Sequence, residues 1–101
     1  MCIAAVLSVA STTTMVGEDI QSQTAQVMEN LRAILLASGS DMSKVLRATC
    51  YLSDIDLYDG FNDVYLRYFP DEATRPARVC FAVAALPFSA KIEVEVTAFV
   101  S

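Results

Sequence analysis

The chain has 101 residues, of which 54% are hydrophobic and 19% are charged, and its net charge at pH 7 is −5. Its seven basic residues are scattered, which argues against a nucleic-acid-binding surface because such surfaces need clustered Lys and Arg. The absence of histidine excludes imidazole zinc ligands and Ser–His or Cys–His nucleophile pairs. Any chemistry must therefore come from carboxylate, guanidinium, thiol, hydroxyl or backbone groups.

The apolar content is high for a chain of this size, with a mean hydropathy of +0.44. Average soluble domains are roughly 45–50% apolar, and a small domain has a high surface-to-volume ratio. The longest uncharged stretch, residues 1–17, contains serines and threonines and is too short to span a bilayer. We therefore expect one domain, residues 1–101, that makes no membrane contact and buries its apolar surplus against copies of itself.

The three cysteines, Cys2, Cys50 and Cys80, show no CxxC spacing. Cys50 and Cys80 lie in apolar, strand-like runs, where a free thiol usually behaves as a small buried hydrophobe. This usage predicts a reduced, cytoplasmic protein. Residues 2–10 are apolar like a signal-peptide core, but the first basic residue is Arg32, so we expect no export signal.

The first half of the chain predicts a strand followed by a helix. Ile3–Val9 is short, apolar and partly β-branched, and residues 11–17 form a polar connection. Glu18 and Asp19 favour a helix N-terminus, and Gly39 favours its C-terminal cap. The apolar stripe of this helix, with a period near 3.6, comprises Ile20, Val27, Met28, Leu31, Ile34 and Leu35.

A second strand and a second helix follow. Val45–Ser53 alternates as a half-exposed strand does. Its predicted buried face comprises Leu46, Ala48, Cys50 and Leu52. Asp56 or a neighbouring acid is expected to cap the helix, which ends before Pro70. Its apolar stripe comprises Leu57, Phe61, Val64, Tyr65 and Tyr68.

Two further strands complete the order strand, helix, strand, helix, strand, strand. Ala77–Leu86 is apolar enough to predict cover on both faces, and Pro87 and Phe88 then turn the chain. Lys91–Val100 alternates, with Ile92, Val94, Val96 and Ala98 predicted to point inward. This order predicts an α+β fold: one sheet with two helices on one face, the other face meeting a partner subunit.

The most informative segment for function is residues 74–80, in which Pro76 favours an extended conformation at Arg75 and Arg78 opens an apolar strand. Arg78 has two interpretations. It is either a strand-edge arginine satisfied by a carbonyl or by Glu93, or a planar fork that grips a substrate carboxylate with two parallel hydrogen bonds.

The other candidates also have two interpretations each. Glu93 is either a solvated glutamate or a group that orients or deprotonates a water. For Cys80, a packing role is favoured over a role as a nucleophile, because no histidine is present to activate the thiol. Tyr65 and Tyr68 follow the helical stripe and are expected in the core, and Asn62 on the same helix fits a surface position equally well.

Taken in order, several segments resemble the Rid family, the reactive intermediate deaminases also known as YjgF-type or L-PSP proteins. The resemblance covers residues 17–100, and its ordered set is more specific than any single motif. The matching segments are Gln23–Leu31, Tyr51–Asp54, Phe61–Tyr65, Tyr68–Pro70, Arg75–Cys80, Val83–Pro87 and Lys91–Glu95.

The resemblance implies a chorismate-mutase-like fold, with one mixed β-sheet packed on two α-helices and a homotrimer whose sheets form a central barrel. It implies ligand sites in clefts between subunits, with Arg78 on the carboxylate of a 2-imino acid, Glu93 positioning the attacking water, and Cys80 and Asn62 contacting substrate. The implied reaction hydrolyses a reactive enamine or imine to a 2-keto acid and ammonia, without metal or cofactor. An imine is already electrophilic, so orientation, a placed water and charge stabilisation are the main requirements.

The N-terminal region departs from the family pattern. Members usually begin with a strand carrying a Gly-Pro-Tyr-type segment, followed by a strand ending in Ser-Gly-Gln. Here the first segment is absent, Ile3–Val6 stands in place of the second, and Ala5 stands where a glycine that approaches substrate is expected. Three functions therefore remain open: a deaminase, a carboxylate binder that has lost turnover and, least favoured by the acidic composition, an RNA-directed activity.

Overall fold

The computed structural model describes the backbone of residues 2–10 and the backbone and side chains of residues 19–86 and 90–100. The helices and strands occur in the order β1 (Cys2–Ala10), α1 (Ile20–Ala37), β2 (Val45–Leu52), α2 (Tyr58–Tyr68), β3 (Ala77–Ala82) and β4 (Ile92–Val100). Short 3₁₀ helices at Met42–Lys44, Ile55–Leu57 and Glu72–Thr74 lie between them. The predicted element order is thus confirmed. The predicted turn at Pro87 and Phe88 and the connection at residues 11–17 lie outside the described residues.

The four strands form one mixed sheet in the order β1-β4-β2-β3. β4 pairs antiparallel with both β1 and β2, whereas β3 pairs parallel with β2. A parallel pair needs a crossover connection, which α2 supplies. β3 pairs with β2 alone and is therefore an edge strand.

Local sequence signals fix the ends of α1. The Asp19 carboxylate accepts a hydrogen bond from the Ser22 N–H at 2.9 Å, which caps the first turn. At the other end Gly39 has φ of +83°, and the Ser40 N–H donates to the Leu35 carbonyl at 2.8 Å, as in a Schellman cap. Both caps confirm the sequence prediction. The expected acid cap on α2 was wrong, because Leu57 stands at its N-cap and makes no side-chain capping hydrogen bond; Asp54, two residues before Asp56, caps the preceding Ile55–Leu57 segment instead.

Both helices cover the same face of the sheet. The shared core contains Val27, Met28, Leu31 and Leu35 of α1, Phe61 and Tyr65 of α2, Ala48, Cys50 and Leu52 of β2, and Ile92, Val94, Val96 and Ala98 of β4. Every inward residue predicted for β4 is therefore confirmed. We call this side of the sheet the helix face and the opposite side the open face.

Three predictions of burial were wrong. Leu46 is exposed, because a register shift between Val45 and Arg47 makes it the extra residue of a bulge, and Val45 takes the buried position instead. Ile34 lies at the margin of the α1 stripe and is 39% exposed. β3 ends at Ala82 rather than Leu86 and, within one chain, is covered on one face only, leaving the open-face side chains of Val79 and Phe81 exposed.

Candidate functional site

Arg78 is the centre of the candidate site, and the register of β3 directs it toward α2. Arg78 pairs with Ala48 of β2, which is fully buried on the helix face. Alternate strand residues point to opposite faces, so Arg78 and Cys80 both lie on the helix face. Arg75 precedes Pro76 in the predicted extended conformation, with φ −59° and ψ 140°.

Two neutral acceptors on α2 hold the Arg78 guanidinium. Nη1 donates to Asn62 Oδ1, and Nη2 donates to the Tyr58 hydroxyl, each at 2.6 Å. Tyr58 and Asn62 are four residues apart, so they lie on the same face of the helix. Because a contact is made to each terminal nitrogen, the plane of the fork is fixed relative to α2.

Aromatic rings surround the same guanidinium. Its central carbon lies 4.7 Å from the ring centroid of Tyr65, 5.5 Å from that of Tyr58 and 5.8 Å from that of Phe61. The negative face of an aromatic ring stabilises a nearby cation. The rings thus favour the charged guanidinium without cancelling its charge.

No carboxylate of residues 19–86 or 90–100 pairs with Arg78. The ion pairs of this part of the chain join Arg32 to Glu29 and Arg67 to Asp63, on the helix surfaces. Arg78 is half-buried, and its positive charge is met by an amide oxygen and a phenol. Such a fork suits a bidentate carboxylate ligand.

Tyr65 and Cys80 line the inner side of the guanidinium as uncharged groups. The Tyr65 hydroxyl is buried and has no hydrogen-bond partner among the described side chains and backbone. Burial raises its pKa well above the usual value. Burial also raises the pKa of the Cys80 thiol, and the adjacent Arg78 charge offsets this only in part. Cys80 therefore rests as a protonated thiol at neutral pH, which supports the packing interpretation over an activated nucleophile for hydrolysis.

Glu93 does not lie beside Arg78 within one chain, so the interpretation in which Glu93 satisfies a strand-edge Arg78 fails within the chain. Glu93 pairs with Tyr51 of β2, and Tyr51 pairs in turn with Phe81 of β3, so these three residues form a row on the open face. Arg78 is on the helix face of β3, two strands away from β4. The sheet itself separates the guanidinium from the carboxylate.

Ala5 is also distant from Arg78. Ala5 lies in β1, the edge strand opposite β3, and its backbone pairs with that of Ala98 in β4. Three strand spacings of about 4.8 Å place β1 roughly 14 Å from β3. One chain thus brings together Arg78, Asn62 and Cys80, and leaves Glu93 and Ala5 elsewhere.

Beside Tyr58 the surface has an open depression of about 600 Å³, lined also by Ile55, Asp56 and Asp59.

No group of three or more described Cys, Asp or Glu side chains is arranged to hold a metal ion. Likewise, none of the described helices has the length and apolar character needed to cross a membrane.

A family model described as Endoribonuclease L-PSP matches residues 3–100. The chain belongs to this family. It is the Rid family, whose resemblance was noted from the sequence, and the match begins before residue 17 and includes most of β1.

Individual relatives agree with this assignment. Reactive Intermediate Deaminase A, chloroplastic, of Arabidopsis thaliana is 46% identical over 80 residues, which cover 79% of this chain and 42% of the plant protein. A RutC family protein of Pyrococcus horikoshii is 42% identical over 81 residues, or 80% of this chain and 63% of that protein. The chain thus spans less than two thirds of the length of these curated relatives.

Solved structures of the family show the same fold. An endoribonuclease-family protein of Thermotoga maritima superimposes with a TM-score of 0.85 at 36% identity, covering 94% of this chain and 76% of that one. A YjgF family member from Neisseria meningitidis superimposes with a TM-score of 0.82 at 29% identity, covering 95% and 78%. The small α+β domain is therefore that of the family.

Two residues of the Arg78 environment were missed at the level of sequence. Tyr58 was not singled out, and Tyr65 was assigned only to the core, which its burial confirms. Their spacing carried the signal, because Tyr58, Asn62 and Tyr65 lie at i, i+4 and i+7 and so share one face of a helix. A mixed polar and aromatic stripe next to an apolar strand with one arginine indicates a site for that arginine.

Proposed function

We propose that the protein binds a small carboxylate-bearing metabolite through Arg78. The single observation that carries this proposal is the half-buried guanidinium, which is fixed by the neutral groups of Asn62 and Tyr58 and has no carboxylate partner among the described residues. A native carboxylate at this position would compete with the ligand. Neutral acceptors orient the fork and leave its charge to the ligand.

We further propose that the bound metabolite is a 2-imino acid and that the protein hydrolyses it to a 2-keto acid and ammonia. The name of the Arabidopsis relative supports this reaction class. In the proposed step, a water oxygen adds to the imine carbon while the π electrons of the C=N bond move to nitrogen, which gives a tetrahedral carbinolamine. The C=O bond then forms as the C–N single bond breaks, and the nitrogen leaves as ammonia carrying both protons of the water. Arg78 would hold the carboxylate, and Glu93 would orient the water, accept its proton and pass that proton to the nitrogen.

Arg78 and Glu93 can share one site only if they come from different chains, because the sheet separates them within each chain. This geometry supports a site in a cleft between subunits, and with it the homotrimer that the family resemblance implies. The exposed apolar side chains Val79 and Phe81 on the open face supply surface for that contact. Cys80 and the Ala5 backbone would line the same cleft.

A second candidate is a carboxylate binder without turnover. The separation of Arg78 from Glu93 favours it, because binding at Arg78 needs one chain alone whereas the reaction needs an assembled cleft. The proposed regulator AldR of Lactococcus lactis is 43% identical over 83 residues, covering 82% of this chain and 64% of that protein. The net charge of −5 makes an RNA ligand the weakest of the three readings.

The test is the hydrolysis of freshly generated 2-iminobutanoate, with calorimetric titration of 2-oxobutanoate as a separate measure of binding. Arg78→Ala should lose both activities. Asn62→Asp should reduce both by at least about tenfold, because the new carboxylate would stand 2.6 Å from Nη1 and pair with it. Arg67→Ala, which removes an exposed arginine of α2, should leave both unchanged.

Stability measurements keep these results interpretable. Asn62→Asp should keep or raise the thermal midpoint, since it adds an ion pair, so a loss of binding cannot be attributed to unfolding. Binding without hydrolysis by an assembled wild-type protein would favour the regulator over the deaminase. Unchanged binding by both Arg78→Ala and Asn62→Asp would reject the Arg78 site altogether.

A further inference from the structure

Cys50 and Cys80 face each other across the β2–β3 pair. They are directly opposed in the parallel register, and both lie on the helix face. Paired strands are about 4.8 Å apart, which falls inside the roughly 4.4–6.8 Å range of Cα separations that a disulfide can bridge. Both thiols are free in this structure.

The two thiols differ in access. Cys50 is fully buried in the core, whereas Cys80 is only half-buried on the edge strand. Burial raises the pKa of Cys50 to about 12, and the neighbouring Cys80 raises it further. Cys80 is thus the thiol that a small reagent reaches first, with Cys50 directly behind it.

We propose that Cys50 and Cys80 form a redox-active dithiol that a peroxide converts into a disulfide between β2 and β3. The proposal is independent of the ligand bound by Arg78.

The chemistry balances with one peroxide per pair. The Cys80 thiolate attacks a peroxide oxygen, the O–O bond breaks, and the departing hydroxide takes up the thiol proton as water, leaving Cys80 as a sulfenic acid. The Cys50 sulfur then attacks the Cys80 sulfur, the S–O bond breaks, and the second water leaves with the Cys50 proton. The two thiols together lose two electrons and two protons, and the peroxide is reduced to two waters.

The bond would act on the shorter of the two edge strands of the sheet. β3 is an edge strand whose ladder is formed with β2 alone. A disulfide would close a loop of about 30 residues that includes α2, and closing a loop of that length is expected to raise the thermal midpoint of a domain this size by roughly 15 °C. Because β3 carries Arg78, the bond would also clamp the strand that presents the guanidinium.

The experiment is treatment of the whole folded protein with hydrogen peroxide, followed by thiol counting after denaturation, peptide mass mapping and thermal unfolding. The untreated chain has three cysteines, so the expected product retains one free thiol, that of Cys2. A peptide that joins Cys50 to Cys80 should appear, and dithiothreitol should abolish both that peptide and the rise in thermal midpoint. Reaction should be slow at pH 7 and accelerate with pH, because the raised pKa values keep both thiols protonated.

Matched variants distinguish disulfide formation between Cys50 and Cys80 from oxidation elsewhere in the chain. Cys2→Ser should form the bond as the wild type does. Cys50→Val keeps the site apolar and should give no rise in thermal midpoint on oxidation. The proposal is overturned if Cys50 remains a thiol while Cys80 becomes a sulfinic acid, or if the disulfide that forms joins two chains.

Discussion

The two faces of the sheet differ in what covers them. On the helix face, Cys50, Leu52 and Val94 are fully buried beneath α1 and α2. On the open face, Phe81 is 50% exposed and stacks on Tyr51 with ring centroids 6.3 Å apart, in the row that also holds Glu93. One face therefore encloses the core of the single chain, and the other leaves aromatic surface next to a carboxylate.

This difference explains why the predicted site is divided. Arg78 belongs to the helix face and Glu93 to the open face, so each chain holds one half of the proposed chemistry on each side of its sheet. β3 is an edge strand, so a neighbouring chain that packs around this edge can bring its Glu93 toward an Arg78 that is not its own. The following substitutions test whether the faces have these separate roles.

The largest effect is expected from a buried charge on the helix face. Val94→Asp places a carboxylate among fully buried apolar residues, and we expect it to destabilise the fold by roughly 3–5 kcal/mol. Phe81→Asp, on the open face, should leave the chain folded and reduce self-association. Circular dichroism measures folding, and sedimentation velocity measures assembly; unfolding by Phe81→Asp would contradict the separation of roles.

A smaller contrast is available within a single strand. Leu52 is fully buried on β2, whereas Leu46 on the same strand is 41% exposed at the bulge. Leu52→Ala should cost about 2–4 kcal/mol of unfolding free energy, because it leaves a cavity, and Leu46→Ala should cost less than about 1 kcal/mol. Urea denaturation of the two variants gives the comparison directly, and equal costs would show that the bulge does not expose Leu46.

The smallest effect concerns the outer surface of the helix layer. The Glu29 carboxylate accepts hydrogen bonds from the Tyr68 hydroxyl at 2.7 Å and from Arg32 at 2.6 Å, and these lower its pKa below 4.5, with the Tyr68 bond the larger cause. A lowered folded pKa adds stability that is complete above pH 4.5 and is lost as the pH falls through the folded value. Tyr68→Phe should therefore lower the thermal midpoint at pH 7, with the difference from wild type shrinking in acid.

The same pair also predicts a change in alkali. Burial and the Glu29 hydrogen bond raise the pKa of Tyr68 to about 12, so its contribution is complete below pH 10 and falls as the pH rises toward 12. Thermal midpoints measured from pH 3 to pH 11 would show both the loss of stability in acid, as Glu29 is protonated, and the loss in alkali, as Tyr68 ionises. Tyr51→Phe on the open face serves as the control, and a Tyr68→Phe difference that stayed constant with pH would exclude the linkage.

Much of the fold was predictable because local signals and periodicity agree. Asp19 and Gly39 mark the ends of α1, and the alternation of β4 gives its inward residues correctly. The bulge before Arg47 was not predictable, because a period-two pattern has no mark for an inserted residue and apolar Leu46 fits the pattern. Exposure of Ile34 shows the same limit at the edge of a helical stripe.

The site was only partly predictable for a different reason. Arg78 and Asn62 were identified, and the structure joins them by a hydrogen bond. The faces to which Arg78 and Glu93 point depend on the parallel pairing of β2 with β3, which periodicity along each strand does not specify. Tyr58 was missed because, in a chain so rich in apolar residues, a tyrosine near a helix start is easily taken for packing.

The strand order has a consequence for how the chain is made. β4, the last strand, lies between β1 and β2, and its register pairs Cys2 with Val100. A growing chain can form β2, α2 and β3 early, but the sheet stays split until β4 leaves the ribosome. Long-range closure of this kind is slow and leaves strand edges open to wrong partners. Closure of the sheet therefore depends on the synthesis of β4, and a chain truncated before residue 92 would leave β1 unpaired beside the β2–β3 pair.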